Sequence, residues 1–348
     1  MKIKPIFFFV IITLMLGTNN VYAGKRHLKA KKHIQPISII FDTDMGNDVD
    51  DAMALDMLHK YINQGRAKVL AIMSNKEDKA SPEFIDLMDT WYGHPNIPIG
   101  IVRNGAECSN INYAQTIVNM QENGKPLYAR SIPDVTKLLD AHKLYRKILS
   151  KQPDHSVVII STGFSTNLAR LLDSKADSFS SLSGKQLVAK KVKFFSIMGG
   201  SHDMEPMREY NIVTDIPSAK ELFAQCPVPI VSSPFEVGVS ICYPASSIEN
   251  DFSWTAHHPM IEAYKSYLKM PFDRPTWDLT AVLYVMEPDS AFFNKTESGI
   301  ITVDNNGVTQ FTPSPKGKHY FLSVSKQQGD RIKNYFIRLI SARPSNKK

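Results

Sequence analysis

The chain has 348 residues, of which 43% are hydrophobic and 22% are charged. This composition is typical of a globular protein and excludes a disordered chain or a coiled coil. The formal net charge is +7, but 7 of the 41 basic residues precede Ile37, which leaves 34 to balance the 34 acidic residues. Because the remaining chain is neutral, its charge does not support a nucleic-acid groove, and we expect no nucleic-acid partner.

Residues 1–23 have the pattern of a cleaved secretory signal. Lys2 and Lys4 provide a positive start, and the apolar run over residues 6–16 is shorter than the roughly 20 residues of a spanning helix. Small residues around Ala23 suit a cleavage site. We therefore expect a periplasmic or secreted protein that keeps no stable membrane anchor after signal cleavage.

The mature chain is predicted to hold one domain. Residues 24–36 are basic and contain no acid, which is typical of a solvated linker, and residues 37–348 are long enough to bury a large core. The three cysteines are too few for a disulfide scaffold in a chain of this length. They are Cys108, Cys226 and Cys242.

From Ile37 onward, short β-branched runs alternate with amphipathic stretches. Strands are predicted over residues 37–41, 69–73, 99–102, 157–160, 194–198 and 228–231. Helices are predicted over residues 52–62, from Ser81 onward, over 135–149 and over 330–340. Such alternation predicts an α/β fold with a mostly parallel central sheet, helices on both faces and a Rossmann-like core. The tail differs, because residues 300–311 indicate a β-hairpin around Asn306-Gly307, followed by a strand over 319–324.

An acidic segment directly follows the first predicted strand. Five aspartates fall within ten residues at a strand-to-helix turn, where like charges repel unless a cation or shared protons offset them. Capping of the next helix needs only one or two of them, so a hard divalent cation with oxygen ligands explains the segment better. These aspartates are Asp42, Asp44, Asp48, Asp50 and Asp51.

Two other acidic-loop interpretations fit less well. An EF-hand loop that began at Asp42 would need glycine at its sixth position and glutamate at its twelfth, but Asn47 and Met53 stand there. A phosphatase that forms an aspartyl phosphate would need a downstream lysine and a second acidic pair after a later strand. The sequence offers no convincing set of these.

The acidic segment resembles the signature of the nucleoside hydrolase family, including its inosine- and uridine-preferring members. In that family the first strand ends in Asp-x-Asp-x-Gly, and the next helix opens with Asp-Asp-Ala. Weaker landmarks follow in the order that the family shows. The matching segments are Asp42-Thr43-Asp44-Met45-Gly46, Asp50-Asp51-Ala52, Ser74-Asn75, Ser161-Thr162-Gly163, Met198-Gly199-Gly200, Glu209-Tyr210-Asn211 and Thr276-Trp277-Asp278.

The resemblance implies an N-ribohydrolase fold and a Ca²⁺-dependent cleavage of a nucleoside's N-glycosidic bond. It implies that one Ca²⁺ holds the ribose 2′- and 3′-hydroxyls and a water molecule. Asp44 would be a metal ligand and the general base for that water. Asp51, the backbone carbonyl of Thr162 and Asp278 would complete the protein ligands.

The resemblance also implies residues that bind the sugar. Asn75, Glu209 and Asn211 would contact its hydroxyls, and polar partners of this kind select against deoxy sugars. Two extra residues separate Asp44 from the Asp-Asp pair, so the ribose-binding aspartate could be Asp48 or Asp50. We favour Asp50, because the Asp-Asp-Ala motif anchors the helix.

Trp277 departs from the family pattern. Many members carry a histidine there that is associated with protonation of the departing base, and an indole N–H is not acidic enough to replace it. Trp277 could instead stack on a base or pack as a core residue. By chemistry alone, His202, His257 and His258 are candidates for activating the leaving group.

Three functional hypotheses follow. The leading one is an enzyme that hydrolyses a ribonucleoside and releases base and ribose. The second is a non-catalytic ribonucleoside- or sugar-binding protein that keeps the metal site. The third is a hydrolase of another ribosyl compound. All three predict a small-molecule partner, and the resemblance adds the prospect of a homo-oligomer.

Overall fold

The computed structural model describes Met1, residues 35–203 and residues 205–344, so the predicted signal and most of the basic linker lie outside the described residues. The strands are β1 Ile37–Thr43, β2 Ala67–Ser74, β3 Ile99–Ile101, β4 Gln121–Glu122, β5 Lys125–Pro126, β6 Val157–Ser161, β7 Val192–Met198, β8 Ile230–Ser233, β9 Cys242–Tyr243, β10 Arg274–Pro275, β11 Asn294–Lys295, β12 Gly299–Val303, β13 Thr309–Pro313 and β14 His319–Ser323. The helices are α1 Asp50–Asn63, α2 Ala80–Trp91, α3 Tyr113–Val118, α4 Ala141–Leu149, α5 Thr166–Asp173, α6 Gly184–Lys191, α7 Tyr210–Thr214, α8 Ile216–Gln225, α9 Phe235–Val239, α10 Ala245–Asn250, α11 Pro259–Tyr267, α12 Trp277–Met286 and α13 Lys326–Ser341.

The central sheet has the strand order β13-β12-β14-β8-β7-β6-β1-β2-β3, and β11 pairs with β14. From β14 to β3 all neighbours are parallel, whereas β12 pairs antiparallel with both β13 and β14. This mixed, mostly parallel sheet confirms the predicted fold class. The predicted C-terminal hairpin and strand extend one edge of the same sheet.

Helices cover both faces of the sheet, as continuous apolar strands require. In β1, Ile39 and Phe41 are buried in one core cluster, whereas Ile40 is buried in a second one. Because alternate residues of a strand point to opposite faces, the sheet separates two cores. The strand β1 lies between β6 and β2, at the centre of the parallel part.

The predicted helix over residues 135–149 is wrong in its first half. Val135–Lys137 forms a 3₁₀ turn, and α4 begins only at Ala141. Between them the Leu139 carbonyl accepts a hydrogen bond from the Ile101 N–H at the end of β3, at 3.0 Å. A bond to the sheet therefore satisfies backbone that a continuous helix would have used, and apolar spacing does not reveal such a partner.

Two smaller observations complete the fold. The strand predicted over residues 228–231 begins at Ile230 and continues to Ser233. None of the helices in the described part of the chain combines the length and apolar character needed to cross a membrane.

Candidate active site at the carboxyl ends of the parallel strands

The acidic segment turns from β1 into α1 at the sheet's carboxyl edge. Gly46 has a φ of +108°, which favours glycine, and its N–H donates to the Tyr113 hydroxyl at 3.2 Å. The segment ends in the first turn of α1, which contains Asp50 and Asp51. The unpaired N–H groups and the dipole of a helix start favour negative charge at these two positions.

Asp278 joins these two aspartates from a distant part of the chain. It lies in the first turn of α12, and its N–H donates to Asp50 Oδ2 at 3.0 Å. One carboxylate oxygen from each of Asp50, Asp51 and Asp278 lies within 4.8 Å of the others. The hydroxyls of Thr43 and Thr162 both donate to Asp51 Oδ1 and hold that carboxylate in place.

Asp44 completes what we call the carboxylate cluster, which consists of Asp44, Asp50, Asp51 and Asp278. The Asp44 and Asp51 carboxyl groups interact directly. The Asn47 amide donates to Asp44 Oδ2 at 2.8 Å. All four carboxylates are at most 4% exposed. The structure therefore brings together three of the predicted metal ligands with Asp50, which we predicted as a sugar-binding residue.

Burial and mutual repulsion disfavour ionisation of the cluster. Burial raises the pKa of Asp50, and the charge of Asp51 raises it further. Burial likewise raises the pKa of Asp51, with Asp44 as the next cause, and that of Asp278, with Asp50 as the next cause. Within residues 35–203 and 205–344, no lysine, arginine or histidine nitrogen forms an ion pair with these carboxylates.

This donor set fits a hard divalent cation. Such ions prefer carboxylate and carbonyl oxygens, and Ca²⁺ takes 6–8 of them. The Thr162 carbonyl lies beside the cluster, where the Asn211 side-chain amide donates to it at 2.9 Å. A carbonyl oxygen has two lone pairs, so this bond leaves one for a cation. Thr162 and Asn211 also line the cavity described next.

The carboxylate cluster lines a cavity of about 330 Å³, a volume within the usual range of small-ligand sites. Four aromatic residues, which we call the aromatic group, line the same cavity. The other lining residues come from the acidic segment, the ends of β6 and β7, the loop before α3, and the loop before α7 with the start of that helix. The aromatic group consists of Tyr210, Phe235, Tyr267 and Trp277.

Glu209 and Asn211 lie where the sequence places them, at the start of α7. The Glu209 carboxylate caps this helix by accepting hydrogen bonds from the N–H groups of Asn211 and Ile212, and a third from Gly200. Burial raises the pKa of Glu209 to about 7. Both predicted residues line the cavity, although the Glu209 oxygens also serve the fold of this loop.

Asn75 lies outside the cavity lining and is fully buried. Its amide donates to Asp42 Oδ1 at 2.6 Å and to the Phe164 carbonyl at 2.9 Å. The Tyr145 hydroxyl donates to the other oxygen of Asp42 at 2.8 Å, and burial raises the pKa of Asp42 to about 7. These bonds therefore connect the end of β1 with the loops that follow β2 and β6, and a sugar contact for Asn75 stays a prediction.

Asp48 is held by a partner that sequence reasoning missed. Both its oxygens accept hydrogen bonds from the Arg274 guanidinium, which lies 226 positions away. The same guanidinium lies 4.9 Å from the Tyr267 ring centre and 5.1 Å from that of Trp277. Arg274 thus connects the acidic segment to the aromatic group, and no local pattern signals this contact.

Trp277 both packs and lines the cavity. Its indole N–H donates to the Phe235 carbonyl at 3.0 Å, which fixes the ring. None of the three candidate histidines lines the cavity. The ring of His202 instead stacks on Phe321, and that of His258 is buried beside Trp91. His257 lies near Glu122.

Comparisons with known proteins agree with this geometry. A sequence profile of the inosine-uridine preferring nucleoside hydrolases matches residues 39–331. No curated protein matches the chain significantly.

Solved structures show the same fold. A plant nucleoside hydrolase has a TM-score of 0.67 and 17% identity, with coverage of 88% of this chain and 100% of the other. An inosine-guanosine nucleoside hydrolase has a TM-score of 0.67 and 17% identity, and the match covers 87% of this chain and 97% of the other. An inosine-uridine preferring nucleoside hydrolase from Bacillus anthracis has a TM-score of 0.63 and 16% identity, and the match covers 88% of this chain and 99% of the other. At such low identity these likenesses establish the fold alone.

The profile covers most of the chain, including the acidic segment and the late aspartate, and its family consists of N-ribohydrolases. This match confirms the resemblance seen in the sequence motifs. The chain belongs to the inosine-uridine preferring nucleoside hydrolase family.

Proposed function

We propose that this protein hydrolyses the N-glycosidic bond of a ribonucleoside in a Ca²⁺-dependent reaction that releases the base and ribose. One observation carries the proposal: four buried carboxylates without an ion-pair partner among the described residues share a cavity with four aromatic side chains. The carboxylates suit a cation and a polyhydroxylated sugar, and the aromatic rings suit a flat heterocycle.

Asp44, Asp51, Asp278 and the Thr162 carbonyl are the groups that would hold the ion. When bound, Ca²⁺ would supply positive charge that makes water more acidic and attracts sugar hydroxyls. The two hydroxyls that donate to Asp51 Oδ1 leave its other oxygen for the ion. The choice of Ca²⁺ over a smaller ion rests on the number of oxygen donors in the cluster.

Asp44 is the proposed general base. Its Oδ2 accepts a hydrogen bond from the Asn47 amide, which orients the carboxylate, and its Oδ1 is the oxygen proposed to take a proton from the attacking water. Cleavage of a glycosidic bond builds positive charge on the sugar ring, and the remaining carboxylates favour that charge. The cluster thus serves both the nucleophile and the developing cation.

Asp50, Glu209 and Asn211 are the proposed sugar-binding residues. Asp50 is the better candidate than Asp48, because both Asp48 oxygens already accept hydrogen bonds from Arg274. Buried acceptors of this kind lose their partners when a hydroxyl is missing, so they select for ribose over deoxyribose.

The aromatic group is the proposed binding site for the base. Trp277 cannot protonate a leaving base, but its fixed ring offers a stacking surface beside Phe235, whose ring centre is 5.4 Å away. Rings of this kind accept purines and pyrimidines alike. The arrangement therefore supports a nucleoside as the substrate class and leaves the base open.

The test is product analysis by mass spectrometry with purified protein and a panel of purine, pyrimidine and nicotinamide ribosides, with and without a chelator. We expect free base and ribose from at least one riboside, loss of turnover on chelation and recovery on addition of Ca²⁺. Tight riboside binding without turnover over hours would instead support the non-catalytic binding protein. Cleavage restricted to other ribosyl compounds would support the third hypothesis.

We also propose that the chain is exported and cleaved near Ala23, leaving one domain over residues 37–348. The composition of residues 1–23 supports this proposal. Expression of the full chain in a Gram-negative host, followed by fractionation and N-terminal analysis, tests it. A cytoplasmic protein with an intact N-terminus would contradict it.

A further inference from the structure

We propose that Lys76 is a positioning residue for the reaction and that it acts on Asp44 through Asn47. This inference rests on the proposed function, because it assigns Asp44 as the base. Lys76 lies two residues after the end of β2, and its ammonium donates to Asn47 Oδ1 at 2.7 Å. The Asn47 amide in turn donates to Asp44 Oδ2 at 2.8 Å.

The chemistry of the lysine decides which way the Asn47 amide faces. An ammonium group has three donors and no acceptor, so only the carbonyl oxygen of Asn47 can face Lys76. The NH₂ group must therefore face Asp44, where it engages one carboxylate oxygen and leaves the other for water. Without the lysine, the amide could rotate and present its oxygen to a carboxylate, which is a repulsive contact.

The same ammonium also anchors a wall of the cavity. It donates to the Ile111 carbonyl at 2.6 Å, and Ile111 lines the cavity. The backbone next to Lys76 is fixed as well, because the N–H of the preceding Asn75 donates to the Thr43 carbonyl at 2.9 Å. One side chain thus links β2, the cavity wall and the acidic segment.

The burial of Lys76 supports a functional role. Lys76 is only 5% exposed, and no carboxylate forms an ion pair with it in the described part of the chain. Burial of an ammonium is costly, and an apolar residue would pack there more favourably if packing were its only task. Its charge is useful where it lies, near a cluster of like negative charges.

The experiment compares Lys76→Met, Asn47→Ala and the double variant with the wild type. Loss of alignment at a general base costs up to about 10²-fold, so we expect kcat to fall by at least about tenfold in both single variants, with KM changed by less than about threefold. The double variant should lose little more than either single variant, because both act on the same carboxylate. Lys79→Met is the matched control, since Lys79 is 67% exposed and pairs only with Glu83 among the described residues.

Calcium binding, measured by titration calorimetry without substrate, separates positioning from general damage. The Ca²⁺ affinity of Lys76→Met should fall by less than about tenfold, because Asp51, Asp278 and the Thr162 carbonyl remain in place and the loss of a positive charge offsets part of the misalignment of Asp44. A kcat within about twofold of the wild type, or a Ca²⁺ affinity weakened by more than about tenfold, would overturn the proposal. Should Lys76→Met not fold, Asn47→Ala decides in the same way, because it leaves the bond from Lys76 to Ile111 intact.

Crystal structures keep this inference separate from the proposed function. If the wild-type protein cleaves no riboside, the proposed function fails, and the structures of wild type and Lys76→Met still decide the positioning role. We expect the Asn47 amide to turn and the Asp44 carboxylate to leave its wild-type rotamer in Lys76→Met. Both side chains unmoved would refute the role of the lysine.

Discussion

Helix α1 carries two groups of buried ionisable residues, and only one of them has an oppositely charged partner among the described residues. At its start, Asp50 and Asp51 lie in the carboxylate cluster, where the described residues provide no ion-pair partner. One to two turns later, Asp56 lies 3.3 Å from the Lys60 ammonium, and the Tyr92 hydroxyl donates to it. We call this second set the core network.

The difference separates buried charges that are paired within the folded protein from those that an external cation can pair. In the core network Asp56 has the Lys60 ammonium and the Tyr92 hydroxyl as partners, so folding brings an opposite charge to this carboxylate. In the carboxylate cluster the neighbours are other carboxylates, so folding leaves a repulsion that an external cation can relieve. The same residue type on the same helix therefore has opposite consequences.

The largest expected effect is on catalysis by the carboxylate cluster. Asp44→Asn removes the general base, so kcat should fall by about 10²–10⁴-fold. The free energy of unfolding of the metal-free protein should not fall, because the substitution removes a repelling charge. Steady-state kinetics and thermal unfolding check both parts. Retained turnover would eliminate Asp44 as the base.

Substitutions in the core network should lower the free energy of unfolding rather than the activity. Asp56→Asn breaks the pair with Lys60, which should lower the free energy of unfolding by about 3–5 kcal/mol. Denaturant unfolding measures this loss. A matched substitution in the cluster, Asp278→Asn, should leave the metal-free protein at least as stable as the wild type. Equal destabilisation by both variants would remove the distinction between the two regions.

A smaller effect separates the two candidate ribose-binding aspartates. Asp50→Asn should raise KM for a ribonucleoside by about 10–100-fold, because a charged acceptor in a buried site is lost. Asp48→Asn should change KM by less than about threefold, because Arg274 already occupies both Asp48 oxygens. Comparison of KM values for the ribo- and 2′-deoxyribonucleoside sharpens the assignment. The reverse order would assign the ribose to Asp48.

The smallest effect is a pH dependence of stability. The pKa values of the cluster are raised, so the native state binds more protons than the unfolded chain, and stability must fall as the pH rises through this range. Asp42 and Glu209, with pKa values of about 7, add to this slope. We expect the free energy of unfolding of the metal-free protein to fall between pH 5 and 8.

Two comparisons check the cause of that slope. Saturating Ca²⁺ should flatten it, because a bound cation favours the ionised carboxylates. Asp278→Asn should also make it shallower, because one titrating group is gone. Thermal unfolding from pH 5 to 8, with chelator or with Ca²⁺, measures both. A stability that rises with pH in the metal-free protein would contradict the raised pKa values.

Local sequence patterns were sufficient for the layers of the fold and for one half of the site. Alternating β-branched and amphipathic runs predicted the parallel strands, because periodicity and burial are properties of neighbouring residues. The acidic segment was recognised for the same reason, since its aspartates are adjacent in sequence. The prediction of a helix over residues 135–149 was wrong in its first half, because a hydrogen bond from the Ile101 N–H to the Leu139 carbonyl interrupts it.

The other half of the site was decided by tertiary structure. The Asp278 N–H reaches Asp50 across 228 positions, Arg274 reaches Asp48 across 226, and Lys76 reaches Asn47 from the loop after β2. The sequence by itself determined that carboxylates would gather at the end of β1 and that the chain would form a parallel sheet. Only the packing of distant loops against that edge decided which carboxylates have partners, because a side chain meets its partner through the fold and not through its place in the chain.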